Sequence, residues 1–143
     1  MSDDVVFDFE REQRIGLVEA VLCAQKSEQQ IGTILERARE RGAGLLLTRL
    51  GPEKLGRLDQ AHRSLIDYCP SSHTAFFGPL RPVSDDRPVV IVAAGTSDAP
   101  VAREAARTLR HAGIEAPIIV DVGVAGLWRL MARIEEIRAF PIV

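Results

Sequence analysis

Two short runs of small, hydroxylated and acidic residues carry the chemistry of this sequence: Gly95-Thr96-Ser97-Asp98 and Asp121-Val122-Gly123-Val124-Ala125-Gly126. The hydroxyls of Thr96 and Ser97, followed by free backbone N–H groups at a helix start, suit a phosphate or a carboxylate. Gly123 and Gly126 allow a backbone to approach a ligand closely. Asp98 has three open readings: a helix cap, an acceptor for a ribose hydroxyl, or a proton-transfer group. Asp121 is open as well, because a carboxylate at a strand end can also bond the amides of its own turn. A purely structural reading stands beside the functional one, in which Thr96, Ser97 and Asp98 only cap a helix.

The elements around these runs are what must position them. The apolar run from Pro88 to Ala94 predicts a strand, and Ala102, Ala105, Ala106 and Leu109 recur at helical spacing after it. Pro100 fits the first turn of that helix, where a missing N–H is harmless. The pattern repeats at once: Pro117 to Val122 reads as a buried strand, Gly123 to Gly126 as a turn, and Leu127, Leu130, Met131, Ile134 and Ile137 as a helical stripe. A third strand is expected from Phe140. The order β-α-β-α-β with short connections predicts a parallel sheet with right-handed crossovers and both turns on one edge. Val143 falls four residues into that third strand, so a fragment or a truncated member of something longer is expected.

Upstream, Pro79, Pro82 and Pro88 with Ser84, Asp85, Asp86 and Arg87 break helix and strand alike, which sets the expected boundary. Residues 1–80 then read as a small amino-terminal α/β module and residues 81–143 as the start of a nucleotide-binding domain, an incomplete parallel-sheet, doubly wound half. Within the first module, residues 19–24 suggest a short strand. Ser27 with Gln30 forms a capping-box signature ahead of Ile31, Ile34, Leu35 and Ala38, and Gly42 is placed to end that helix. Leu45, Leu46 and Leu47 mark a buried strand, Pro52 starts a short helix through Leu55 and Leu58, and residues 64–68 and 74–77 are weaker strand candidates.

Composition narrows the remaining choices. At 143 residues with 46% hydrophobic content the chain can bury a core, and a net charge of −2 offers no global basic field for nucleic acid. No stretch approaches the roughly 20 apolar residues of a membrane span. The acidic start Met-Ser-Asp-Asp is unlike a secretory signal, so a cytoplasmic location is expected. Cys23 and Cys69 lack the spacing of a zinc site and read as small apolar fillers. His62, His73 and His111 lie apart without metal-ligand spacing. Glu135, Glu136 and Arg138 read as a solvated face, as does the run Asp8, Glu10, Arg11, Glu12 and Arg14. Neither a Gly-x-Gly-x-x-Gly fingerprint nor a Walker loop is present.

The stretches Ala94-Gly-Thr-Ser-Asp-Ala-Pro-Val-Ala-Arg-Glu-Ala-Ala-Arg-Thr108 and Ile119-Val-Asp-Val-Gly-Val-Ala-Gly-Leu-Trp-Arg-Leu130 resemble the LarB family. This is the pyridinium-3,5-biscarboxylic acid mononucleotide synthase of nickel-pincer cofactor assembly, a relative of the PurE aminoimidazole-ribonucleotide carboxylases and mutases. Asp8-Phe-Glu-Arg-Glu-Gln-Arg-Ile-Gly16, then Glu19, Val21 and Lys26, then Thr48-Arg49, match the family's amino-terminal pattern, although Cys23-Ala-Gln25 stands where a Gly usually precedes the lysine.

The resemblance implies a PurE-like fold and carboxylation of the pyridinium ring of nicotinic acid adenine dinucleotide. Carbon dioxide or bicarbonate is the implied co-substrate, and phosphoanhydride hydrolysis releases AMP. It implies a ligand cradle at Gly95, Thr96, Ser97, Asp98, Asp121, Gly123, Val124, Ala125 and Gly126, and a homo-oligomer. The family's nucleophilic cysteine has no counterpart here, so the chain alone is expected to be inactive. Magnesium is compatible with a dinucleotide, but no ligand cluster points to it. Two other readings stay open. A purine-pathway carboxylase or mutase would need a histidine in the second loop, where none stands, and a non-catalytic nucleotide-binding or assembly module would need only the cradle.

Overall fold

The computed structural model describes residues 5–86 and 88–143. The acidic start, residues 1–4, and Arg87 of the proline-rich break lie outside the described residues. The chain is a mixed α/β protein that forms two compact units, Met1–Leu80 and Arg81–Val143.

The first unit runs α1 (Arg11–Ile15), β1 (Ala20–Leu22), α2 (Glu28–Arg41), β2 (Leu45–Thr48), α3 (Pro52–Arg57), α4 (Gln60–Arg63), β3 (Ile66–Cys69) and β4 (Thr74–Phe77). Its sheet has the order β1-β2-β4-β3, with β1 parallel to β2 and β4 antiparallel to both of its neighbours. The expected capping box is present: Gln30 N–H donates to the Ser27 hydroxyl at 3.1 Å, and Ser27 N–H donates to the Gln30 side chain at 2.9 Å. These bonds satisfy two of the donors a helix start leaves free. Gly42 ends α2 in the left-handed conformation at φ 62°, which suits a residue without Cβ. Ile31, Ile34, Leu35 and Ala38 then face Leu45, Leu47, Ala75 and Phe77 in one buried cluster. Removing any of these large side chains would cost about 2–5 kcal/mol. The charged run near the start is not wholly loose surface, because residues 11–15 form α1 and Arg14 pairs with Asp8.

The second unit contains β5 (Ile91–Val92), a 3-10 turn at Thr96–Asp98, α5 (Ala99–His111), β6 (Ile118–Ile119), a 3-10 turn at Val124–Gly126 and α6 (Leu127–Arg138). β5 and β6 are parallel. Ile91 and Ala93 donate their N–H groups to Pro117 and Ile119 on the β6 side, at 2.9 Å each. Val90 N–H donates to the Ile142 carbonyl on the other side, so β5 lies between β6 and the segment at Ile142.

Two expectations need correction here. The third strand expected from Phe140 is a single parallel bridge, Val89 to Ile142, because Phe140 N–H is still spent on closing α6, on the Ile137 carbonyl at 3.2 Å. The α6 stripe is also split. Ile137 is buried and Leu130 and Ile134 are half-buried, yet Leu127 and Met131 are 55% and 57% exposed. The core of this unit, Val90, Ile119, Val122 and Ile137, packs against Leu130 of α6 and leaves Leu127 and Met131 uncovered.

Candidate functional site

Parallel pairing of β5 with β6 carries both strand-to-helix turns to the same end of the sheet. The pairing runs past the regular ladder, since Gly123 N–H donates to the Ala94 carbonyl at 2.9 Å. The last residue before the first turn therefore touches the first glycine of the second. A Cβ on Gly123 would sit 3.0 Å from the Ala94 carbonyl oxygen, so glycine is what allows the two turns to lie this close.

In the first turn, Asp98 does not cap α5. Its carboxylate reaches back to accept the Gly95 N–H at 2.9 Å, and Asp98 N–H donates to the Gly95 carbonyl at 3.1 Å. The two bonds close the 3-10 turn and commit one carboxylate oxygen to it. α5 has no side-chain cap, and Pro100 in its first turn removes one N–H that would need a partner. The Thr96 and Ser97 side chains are exposed and, among the described residues, their hydroxyls are uncommitted. Beside this turn lies an open cleft of about 390 Å³ whose floor is Ile91–Val92 with Ala93 and Ala94 and whose wall is Val101, Ala102 and Ala105, with Asp98 at its rim. Its lining is apolar except for that carboxylate. The residues of the second turn do not line it.

In the second turn, Asp121 takes a left-handed backbone at φ 62° and spends its carboxylate on a residue eight positions later. Arg129 Nη1 donates to Asp121 Oδ1 at 2.8 Å. The carboxylate thus holds a guanidinium from α6, and the turn's own closing bond is main-chain, from Gly126 N–H to the Gly123 carbonyl at 3.0 Å. The guanidinium packs on Gly126 so closely that a Cβ there would lie 2.7 Å from Arg129 Nε. That Nε is buried and has no hydrogen-bond partner among the described residues. A donor of this kind costs free energy unless an acceptor arrives. Val124 and Ala125 at the tip of the turn are exposed.

The structure thus bonds Gly95 to Asp98 in the first turn and Gly123 to Gly126 in the second, holds Asp121 through Arg129, joins the two turns through Ala94 and Gly123, and leaves Thr96, Ser97, Val124 and Ala125 presented at the tips. Arg129 was not visible as a site residue from composition. Its only sequence signal is its place in the first turn of the helix that follows the Asp121 loop.

The remaining candidates separate clearly. Cys23 is fully buried, and desolvation pushes its thiol up to about 11 against the smaller opposing fields of Lys54 and Lys26, as expected of a packing residue. Cys69 is not a filler. It stands half-exposed at the end of β3, 3.3 Å from the Ser71 hydroxyl. Desolvation raises its thiol, but side-chain and main-chain hydrogen bonds from Ser71 and Ser72 outweigh this and bring it down to about 7. His62 accepts or donates to Glu36 at 3.0 Å and meets the Phe77 ring edge-on, His111 is buried at the end of α5, and His73 is exposed. Among the described residues no group of three His, Cys, Asp or Glu side chains could hold a metal ion. Among the described residues no helix is long and apolar enough to cross a membrane.

A stretch of 48 residues is 50% identical to an uncharacterized protein of Methanocaldococcus jannaschii, and the match covers 34% of this chain and 19% of that protein. The chain therefore aligns with about a fifth of the relative's length. The LarB/PurE-like N-terminal domain matches residues 3–78, more than half of the sequence, and the chain belongs to that family.

Proposed function

We propose that this chain serves nickel-pincer nucleotide cofactor assembly in the cytoplasm, its second unit cradling nicotinic acid adenine dinucleotide. The reaction served is carboxylation of the pyridinium ring by carbon dioxide or bicarbonate, coupled to phosphoanhydride hydrolysis with release of AMP. The observation that carries this reading is the contact between the two turns, Gly123 N–H on the Ala94 carbonyl at 2.9 Å, beside exposed Thr96 and Ser97 hydroxyls. Small residues, free hydroxyls and a helix start at the carboxyl ends of parallel strands suit a phosphate. Arg129, held by Asp121 and carrying an unpartnered Nε, supplies a cation at the same end of the sheet.

Neither cysteine is given the nucleophile's role. Cys23 is buried with its thiol near 11, and Cys69 lies in the first unit. The chain alone is accordingly expected to bind without turning over. Self-association is part of the proposal, because Val124, Leu127, Trp128 and Met131 recur at i, i+3, i+4 and i+7 with 55–77% exposure, an apolar face that a second copy would cover.

The test is calorimetric titration of the chain with nicotinic acid adenine dinucleotide, followed by mass analysis after incubation with bicarbonate. Binding that falls in the Thr96→Ala, Ser97→Ala double variant, without product, is the expected result. Product that survives Cys23→Ser and Cys69→Ser would demand another mechanism, and unchanged affinity in the double variant would remove the turns from the site.

A further inference from the structure

The first unit carries a group of basic side chains that the reading above leaves unused. β1 and β2 are parallel, so the segments that leave their carboxyl ends lie side by side: Cys23 N–H donates to the Thr48 carbonyl at 2.9 Å. Leu50 N–H then donates to the His73 carbonyl at 2.8 Å. Arg49, between those two bonds, is flanked by the loop that leads from Cys23 to Lys26 on one side and by the β3–β4 connection on the other. Lys26, Arg49 and His73 are thereby gathered at one edge of the sheet. α2, which begins at Glu28, points its amino-terminal dipole to the same edge.

Two further observations single these residues out. Among the described residues no hydrogen bond or ion pair engages the side chains of Lys26, Arg49 or His73. Elsewhere in the unit the arginines are mostly committed: Arg14 to Asp8, Arg37 to the Val5 carbonyl, Arg39 to Glu36 and Arg57 to Glu28. Both Arg49 and His73 also hold left-handed backbones, φ 53° and 52°, which residues with a Cβ avoid. Their places are enforced by what surrounds them. Leu50 is fully buried and its carbonyl accepts the Tyr68 hydroxyl at 2.8 Å. Lys54 spends its ammonium on the carbonyls of Cys23, Ala24 and Lys26 at 2.8, 2.9 and 2.8 Å, which pins the loop carrying Lys26.

We propose that this edge of the first unit is a binding site for the phosphate group of a phosphorylated small molecule. Arg49 supplies the bidentate guanidinium, Lys26 and His73 flank it, and Lys54 is a positioning residue that fixes the loop. A planar guanidinium matched by a second cation is the pairing that phosphate oxygens favour. The site is distinct from the turns of the second unit and does not rest on their reading.

The test is a titration of the whole chain, followed by amide NMR, with inorganic phosphate, AMP and adenosine at constant ionic strength. Phosphate and AMP are expected to shift the amides of Ala24, Lys26, Arg49, Leu50 and His73 saturably, and adenosine is not. A larger affinity for AMP than for phosphate would identify a nucleotide as the natural source, and equal affinities would identify free phosphate. Arg49→Gly, which suits the left-handed backbone, should weaken binding about tenfold, and Arg49→Lys should weaken it less. Lys54→Met should weaken it with the loop amides broadened, whereas Arg39→Met should leave it unchanged. The proposal is overturned if phosphate titrates Arg49→Gly like the parent chain, if shifts spread evenly over the surface, or if they gather only at residues 95–98 and 123–126. Absence of saturable shifts from both phosphate and AMP would overturn it too.

Discussion

Gly126→Ala tests the second turn in a way that separates packing from binding. A Cβ there would lie 2.7 Å from Arg129 Nε and 2.9 Å from Nη2, where about 3.5 Å is the closest comfortable contact. The guanidinium must retreat by roughly 0.8 Å, and a retreat along the line of its 2.8 Å bond to Asp121 Oδ1 would carry Nη1 out of hydrogen-bond range. That pair is 33% and 44% exposed on its two sides, so its loss costs only about 0.5–1 kcal/mol. Replacing a glycine stabilises by about 0.4–1 kcal/mol through the unfolded chain, and the two effects nearly cancel. A melt followed by far-UV circular dichroism should therefore move by less than about 4 °C. The informative measurement is a double-mutant cycle with Arg129→Met. Once the guanidinium is gone the clash is gone, so Gly126→Ala should turn stabilising in that background, with a coupling of about 0.5–1 kcal/mol. Additivity within about 0.3 kcal/mol would show that Arg129 does not rest on Gly126 and would refute the reasoning.

Other outcomes follow from the same geometry. Thr96→Ala with Ser97→Ala should lower nucleotide affinity while leaving the melt nearly unchanged, because both hydroxyls are exposed; a large fall in stability with intact affinity would reverse their assignment. Asp98→Ala should cost about 1 kcal/mol, since it strips the Gly95 N–H of its acceptor. Alkylation of Cys69 should rise through a midpoint near pH 7 while Cys23 stays unreactive in the folded chain, and a midpoint near 9 would contradict the serine hydrogen bonds. The Cys69 thiol is held below its ordinary value of 9.0, so the folded state favours its thiolate. The resulting stabilisation is complete above pH 9 and is lost as pH falls through about 7. Limited proteolysis should cut first between Gly78 and Pro88, and equal resistance there and within α2 would count against a loose connection.

What the sequence disclosed and what it withheld divide along the range of the interactions involved. Ser27 and Gln30, Gly42, Pro52 and the Gly-Thr-Ser-Asp turn all act on neighbours within about four residues, so local chemistry displays them. Strand order is different. β4 inserts antiparallel between β2 and β3, and nothing in the run Thr74-Ala-Phe-Phe77 says which partners its fully buried faces will find. The same holds for Lys54, whose ammonium meets carbonyls 28 to 31 residues away, and for Asp121, whose partner Arg129 belongs to the next helix. The α6 stripe was legible as a stripe. How much of it is covered depends on the size of the sheet beneath, and two-residue strands cover Leu130 and Ile137 but not Leu127 or Met131.

The exposed apolar row on α6 also determines how this protein can be watched. The chain has one tryptophan, Trp128, and it lies 74% exposed in the folded state. In the unassociated chain this indole faces water, so unfolding of a single copy will barely change its colour, and an optical melt read at that residue would miss the transition. The reverse follows for association. Anything that settles over Val124, Leu127, Trp128 and Met131 must dry the indole first and shift its emission to the blue. The protein therefore carries a built-in dye that in a single copy is blind to folding and sensitive to company.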